Sequence, residues 1–146
     1  MNNLIRYLFV GLSFILLICV RVFVEPYFYD PLIEYFKSDY LHEPLPSLDI
    51  SIYFAHLSFR YFLNSIISLA IIHLFFMRKT TLIFALKIYF VCFLILIFLL
   101  FVLLKFHIVD GYLTIFYIRR ILIHPLLLLV LIPAFYYQKL KLREGN

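Results

Sequence analysis

The chain has 146 residues, of which 66% are hydrophobic and 14% charged, and its mean hydropathy is +1.05. A water-soluble fold of this size cannot bury so many large apolar side chains, because its surface must consist largely of residues that tolerate water. The composition therefore predicts an integral membrane protein. The net charge of +5 then indicates contact with anionic lipid rather than with nucleic acid.

Four apolar windows predict an all-α transmembrane fold, since a helix of about 20 residues crosses the roughly 30 Å hydrocarbon core of a bilayer. The first window is longer than the apolar part of a signal peptide and has no small-residue cleavage site after it, so we expect it to remain in the protein. Residues 1–146 thus form one predicted domain. Its four helices lie at about residues 4–24, 54–77, 82–104 and 113–137.

Basic residues near the helix ends predict the orientation, because cytoplasmic segments retain lysine and arginine. The 25–53 loop holds six of the eight acidic residues and only one of the basic residues, Lys37. We therefore expect a multi-pass protein with both termini in the cytoplasm and the 25–53 loop outside. The basic residues on the cytoplasmic side are Arg6, Arg78, Lys79, Lys139, Lys141 and Arg143.

The external loop contains a short amphipathic segment after Pro31. Its apolar residues are spaced like one or two turns of helix, and the EPLP sequence at 43–46 then ends the segment. We expect this segment to lie on the outer surface of the membrane. The apolar residues are Leu32, Ile33, Tyr35 and Phe36.

The second predicted helix has a polar stripe in its outer half. His56, Arg60 and Asn64 recur every four residues and are followed by Ser68, so the four share one face. A polar side chain at this depth normally faces other helices, a wet cavity or a partner. Asn64, Ser65 and Ser68 are more typical of interhelical hydrogen bonds than of catalysis, whereas Arg60 is equally consistent with a structural role and with binding.

The fourth predicted helix has Arg119, Arg120 and His124 in its outer half, and Arg21 lies near the outer end of the first helix. Several converging arginines favour a carboxylate or a phosphate, because the planar guanidinium group binds such anions through two hydrogen bonds. Asp110, which stands beside a glycine before the fourth helix, is typical of a turn. A second role for Asp110 is that of counterion to the arginines.

Structural roles compete with binding at two of these positions. Arg21 can extend toward the lipid head groups or pair with Glu25 one turn later. His124 precedes Pro125, whose missing N–H frees a helix carbonyl, so a local hydrogen bond explains His124 as well as ligand binding does. The sequence leaves both alternatives open.

The two cysteines, Cys19 and Cys92, lie inside apolar runs, with no CxxC motif and no histidine or cysteine at ligand spacing. We therefore expect no metal and no cofactor. Cys19 is the only candidate nucleophile, because it precedes Arg21 by two residues and a nearby cation stabilises a thiolate. A buried cysteine is more often a small hydrophobic residue, and paired acids, HExxH and nucleotide motifs are absent from the sequence. We expect no enzymatic activity.

Three stretches are similar to a known family: FYDPL followed by YFKSDYLHEPLP within 28–46, FRYFLNSIISLAI at 59–71, and FYIRRILIHPLLLLVLIPAFYYQ at 116–138. Over nearly its whole length the chain resembles the small multi-pass membrane proteins associated with exosortase F in flavobacteria. The resemblance implies a bacterial cytoplasmic (inner) membrane protein that is encoded beside an exosortase, a membrane peptidase that recognises a C-terminal sorting helix and processes it at the outer leaflet. It assigns no catalytic residue.

The leading hypothesis is therefore a non-enzymatic accessory protein that binds an exosortase-family membrane peptidase, or its sorting-signal substrate, at the outer leaflet. The alternative is a membrane protein that binds an anionic lipid or a polyprenyl phosphate. A third hypothesis is a membrane peptidase that depends on Cys19. The candidate residues for binding a partner or an anion are Arg21, His56, Arg60, Asn64, Arg119, Arg120 and His124.

Overall fold

The computed structural model describes residues 3–38, 46–106 and 112–144, and every regular element within these ranges is helical. The first helix, α1, continues through one π-helical segment, Val20–Val24, and one 3-10 turn, Glu25–Tyr27. The α-helices are α1 (Asn3–Cys19), α2 (Leu32–Tyr35), α3 (Ile50–Phe76), α4 (Lys79–Lys105), α5 (Tyr112–Ile123) and α6 (Leu126–Glu144).

The described helices agree with the predicted all-α fold. Three of them, Leu4–Phe23, Ile50–Phe76 and Lys79–Lys105, are long and apolar enough to cross a membrane, and the bent pair α5 and α6 makes a fourth if it counts as one span. α3 begins earlier than predicted because the side chain of Asp49 accepts a hydrogen bond of 3.3 Å from the backbone N–H of Ile52. Such a cap satisfies one of the free N–H groups of the first turn.

α3 lies at the centre of the bundle and contacts α1, α4, α5 and α6. Its Ile71 and Ile72 side chains are fully buried. The hydroxyl of Tyr61 donates a hydrogen bond of 2.7 Å to the backbone carbonyl of Tyr89 in α4. α3 and α4 are therefore joined by a polar contact as well as by packing.

α1 and α4 expose apolar side chains along most of their length, such as Leu12 and Phe98. Apolar surfaces that extend along most of a helix are unfavourable in water and are typical of surfaces that contact lipid. The membrane-compatible character of the fold therefore results from its surface as well as from helix length.

The predicted fourth helix is not continuous. α5 ends at Ile123, α6 begins at Leu126, and the two meet with a bend of 65°. Pro125 causes the break, because it has no N–H to donate and its ring disfavours the helical conformation of the preceding residue. The N–H of Leu126 bonds instead to the carbonyl of His124, over 2.8 Å.

The segment around α2 packs against the helices instead of presenting its apolar face to the membrane surface as expected. Leu32 is fully buried, Tyr35 is buried, and the ring of Phe36 lies 5.2 Å from that of Phe116 in α5. Most of the EPLP sequence lies outside the described residues. The apolar face of α2 packs in this way because the bundle itself provides an apolar surface for it.

Candidate functional site

The polar stripe of α3 faces the interior, as its spacing predicts. Arg60 and Asn64 are buried, Ser68 is fully buried, and His56 is half-buried at the end of the stripe. The Nδ1 atom of His56 accepts a hydrogen bond of 3.3 Å from the backbone N–H of Tyr29. His56 therefore contacts the segment before α2.

Asn64 bonds to the broken helix. Its Nδ2 atom donates a hydrogen bond of 2.7 Å to the backbone carbonyl of Ile123, the last residue of α5. The carbonyls at the end of a helix have no donor within that helix, and the break at Pro125 places this one in the bundle interior. The contact confirms the interhelical hydrogen bond expected for Asn64. The same expectation is wrong for Ser65, because its hydroxyl donates back to the carbonyl of Tyr61 in its own helix.

Arg119 forms a buried ion pair with Asp30, which precedes α2. The Arg119 Nη2 atom lies 2.6 Å from Asp30 Oδ2, and Nε lies 3.2 and 3.1 Å from Oδ1 and Oδ2. The side chains are 10% and 5% exposed. The sequence pointed instead to Asp110 as a counterion, and Asp110 lies outside the described residues.

Sequence reasoning missed both Asp30 and Phe28. The ring of Phe28 lies 5.7 Å from the guanidinium carbon of Arg60 and 5.9 Å, edge-on, from the ring of His56. A cation over an aromatic face is attracted to it electrostatically. The segment 28–30 thus covers polar residues of both α3 and α5. The only local signal for this arrangement is an aspartate that follows two aromatic residues and precedes Pro31.

Arg21 and Arg120 occupy more open positions. Arg21 lies in the π-helical segment after α1, and Arg120 lies 6.0 Å above the ring of Phe116. Both residues are exposed. The side chain of Glu25, the partner proposed for Arg21, lies outside the described side chains.

Two adjoining cavities meet at the break between α5 and α6. The first, which we call the arginine cavity, has a volume of about 200 Å³. The second, which we call the apolar cavity, also has a volume of about 200 Å³ and lies mainly between α1 and α6. The arginine cavity is lined by Arg21, Phe116, Arg119, Arg120, Ile123 and His124.

The two cavities share Arg21, Ile123 and His124, so they lie next to each other with these three residues in both linings. Arg60 and Asn64 also line the apolar cavity, whose other lining residues are mostly aliphatic. Two of these, Ile18 in α1 and Leu129 in α6, are each 62% exposed. The apolar cavity therefore opens on the side of the bundle, between α1 and α6.

The structure brings all seven predicted site residues to one region. Arg21, Arg60, Asn64, Arg119, Arg120 and His124 line one or both cavities, and His56 lies beside them against Phe28.

The cysteine positions differ from this pattern. Cys19 lines neither cavity, and both Cys19 and Cys92 are half-buried free thiols. Within residues 3–38, 46–106 and 112–144, no group of three histidine, cysteine, aspartate or glutamate residues is placed to hold a metal ion. The polar residues that line the two cavities are therefore arginines, one histidine and one asparagine, and the other lining residues are apolar.

Comparisons with protein-family models, curated proteins and solved structures found no match to this chain. The function of the chain is therefore inferred from the site itself and from the sequence resemblance.

Proposed function

We propose that the chain is a membrane protein that binds an anionic lipid, with the head group in the arginine cavity and the tail in the apolar cavity. The observation that supports this proposal most directly is that a cavity rich in arginine and a mostly apolar cavity lie side by side and share Arg21 and His124. A lipid has the same two parts in the same order.

The distribution of charge supports an anionic head group. Arg119 is compensated by Asp30, whereas neither Arg21 nor Arg120 forms an ion pair within the described part of the chain. Both side chains are exposed on the protein surface, and at membrane depth, where that surface faces lipid, a charge is stabilised by an opposite charge. An anion in the arginine cavity would supply that charge to both residues.

The broken helix supports a binding role as well. In secondary transporters, discontinuous membrane helices form substrate sites, because irregular backbone is tolerated at membrane depth where it lines a cavity. The break at His124 and Pro125 lines the apolar cavity, and His124 also lines the arginine cavity. The orientation predicted from the basic residues places this site in the outer leaflet.

Lipid binding is tested with the purified chain in nanodiscs of phosphatidylcholine that contain a small fraction of dioleoylphosphatidylglycerol or, as a neutral match, dioleoylglycerol. Native mass spectrometry counts the lipid that remains bound. We expect the anionic lipid to be retained and Arg120→Gln to lower its affinity by about tenfold, since a hydrogen bond to a charged group contributes about 1.5–3 kcal/mol.

The matched control is Arg78→Gln. Arg78 is an exposed arginine at the start of α4, and it lines neither cavity. Its loss should leave retention unchanged. Equal loss in both variants would mean that the lipid responds to net charge, and the site assignment would be wrong.

A second proposal is that the chain is an accessory protein of an exosortase-type sorting system, bound to the peptidase or its substrate at the outer leaflet. The specific support is positional: the three stretches that resemble the exosortase-associated family contain Asp30, Arg60 and Arg119, which lie together at the site. Co-purification of a membrane peptidase in mild detergent, reduced by Arg120→Gln but not by Arg78→Gln, is the expected result. Recovery of the chain without any peptidase would contradict it.

A further inference from the structure

We infer that the head group bound in the arginine cavity is a dianionic phosphate, as in a lipid phosphate monoester, rather than a monoanionic phosphodiester or a carboxylate. This inference rests on the proposed function and specifies its ligand class.

The charge of the cavity lining favours a dianion. Arg21, Arg119 and Arg120 supply three positive charges, and Asp30 compensates the one on Arg119. Among the described side chains, neither Arg21 nor Arg120 has an acidic partner, so two positive charges remain. A phosphodiester or a carboxylate has one negative charge and would leave an arginine without a counterion, whereas a phosphate monoester near neutral pH has almost two. Arg60 is outside this count, because it lines the apolar cavity and lies against Phe28.

The geometry of the donors favours the same head group. Arg21 and Arg120 come from different helical segments and line the same cavity of about 200 Å³. Each guanidinium group is a planar fork that pairs best with two oxygens. A monoester has three terminal oxygens and a diester has two, so a monoester has more acceptor positions for two forks that come from different helical segments.

The apolar cavity indicates that this phosphate belongs to a lipid. Aliphatic residues of α1 and α6 continue directly from the polar residues, and the cavity opens between Ile18 and Leu129, which are both exposed. A tail of any length can leave through this opening into the hydrocarbon of the bilayer. The head group, and not the tail length, should therefore determine selectivity.

The test compares three lipids with the same dioleoyl tails in phosphatidylcholine nanodiscs that contain the full chain. They are phosphatidic acid, which is a monoester, phosphatidylglycerol, which is a diester, and neutral dioleoylglycerol. At pH 8 the monoester is a dianion, since its second pKa is about 6 in phosphorylated side chains. We expect retention of phosphatidic acid to exceed that of phosphatidylglycerol by at least about tenfold, the effect of one charged contact.

Variants then locate the preference. Arg21→Gln and Arg120→Gln should each reduce binding of phosphatidic acid to the level of phosphatidylglycerol, and Arg78→Gln should leave the preference intact. Arg120→Lys keeps the charge and removes the fork, so an intermediate preference is expected. The comparison on the unmodified chain needs no variant and so does not depend on the folding of any.

The outcomes separate this inference from the proposed function. Equal retention of phosphatidic acid and phosphatidylglycerol, both above dioleoylglycerol, would overturn the dianion inference and leave anionic-lipid binding in place. Equal retention of all three would overturn both. Binding of inorganic phosphate as tight as that of phosphatidic acid would overturn the assignment to a lipid, because the tail would then contribute nothing, and would show a site for free phosphate.

Discussion

The guanidinium group of Arg119 in α5 meets the carboxylate of Asp30, before α2, through Nε and Nη2, with a shortest distance of 2.6 Å. The pair joins the segment before α2 to the half of the broken helix that ends at the cavities. All three arginines line the arginine cavity, but only Arg119 has an acidic partner among the described side chains, which leaves Arg21 and Arg120 for a ligand.

Removal of one partner of this pair should destabilise the protein strongly. Asp30→Asn leaves the buried Arg119 charge without its counterion, and breaking a buried ion pair in this way costs about 3–5 kcal/mol. We expect a clear fall in the thermal unfolding midpoint, measured by circular dichroism in detergent. Glu34→Gln, at an exposed acid of α2, is the control and should have little effect. An Asp30→Asn protein that unfolds like the unmodified one would contradict a stabilising role.

The break between α5 and α6 should depend on Pro125. Pro125→Ala restores an N–H and relieves the restriction on His124, so a straighter helix is expected. Spin labels at Tyr117→Cys and Leu140→Cys, both exposed positions, in a Cys19→Ala and Cys92→Ala background, report the separation of the two segments. The distance should increase from its bent value toward that of a continuous helix.

Pro133→Ala is the matched control for the break. Pro133 lies inside α6 without interrupting it, so its replacement should leave the label distance unchanged. An unchanged distance in Pro125→Ala as well would mean that tertiary contacts alone impose the bend.

The hydrogen bond from Asn64 to Ile123 should contribute to stability. Asn64→Leu leaves the buried carbonyl of Ile123 without this donor, at a cost of about 1–3 kcal/mol. Ser65→Ala is the control, since Ser65 bonds only back to Tyr61 within its own helix. The thermal unfolding midpoints of the two variants are compared, and Asn64→Leu should lower the midpoint more than Ser65→Ala does. Equal decreases would contradict a specific stabilising role for the hydrogen bond between the helices.

The predicted orientation is open to a direct labelling test. A cysteine introduced by Ser47→Cys should react with an impermeant thiol reagent in intact spheroplasts, and one introduced by Thr80→Cys should react only after the membrane is opened. Both positions are exposed in the structure. The reverse pattern would move the arginine cavity to the inner leaflet.

Hydropathy and periodicity predicted much of this architecture. Helix number and approximate length follow from apolar windows that match the bilayer, and the interior position of Arg60 and Asn64 follows from four-residue spacing. The break between α5 and α6 was harder to predict from the sequence. Pro125 and Pro133 look alike in sequence, yet only Pro125 ends a helix. The difference lies in tertiary structure, because Asn64 of α3 donates a hydrogen bond to the backbone carbonyl of Ile123 at the end of α5.

The pairing of Asp30 with Arg119 could not be predicted. The two residues are separated by 89 positions, and no local pattern specifies which acid of the 25–53 loop enters the bundle. The expectation that α2 would lie on the membrane surface failed for the same reason. An amphipathic pattern shows that a face must be covered, but it does not distinguish lipid from protein as the cover.

Mass spectrometry of the lipids that remain with the full chain after purification from its native membrane in mild detergent tests most directly whether the two adjoining cavities hold an anionic lipid. The proposal predicts one anionic lipid per chain, lost in Arg120→Gln and retained in Arg78→Gln. A chain that retains no lipid, or only a neutral lipid that both variants keep, would contradict the proposal.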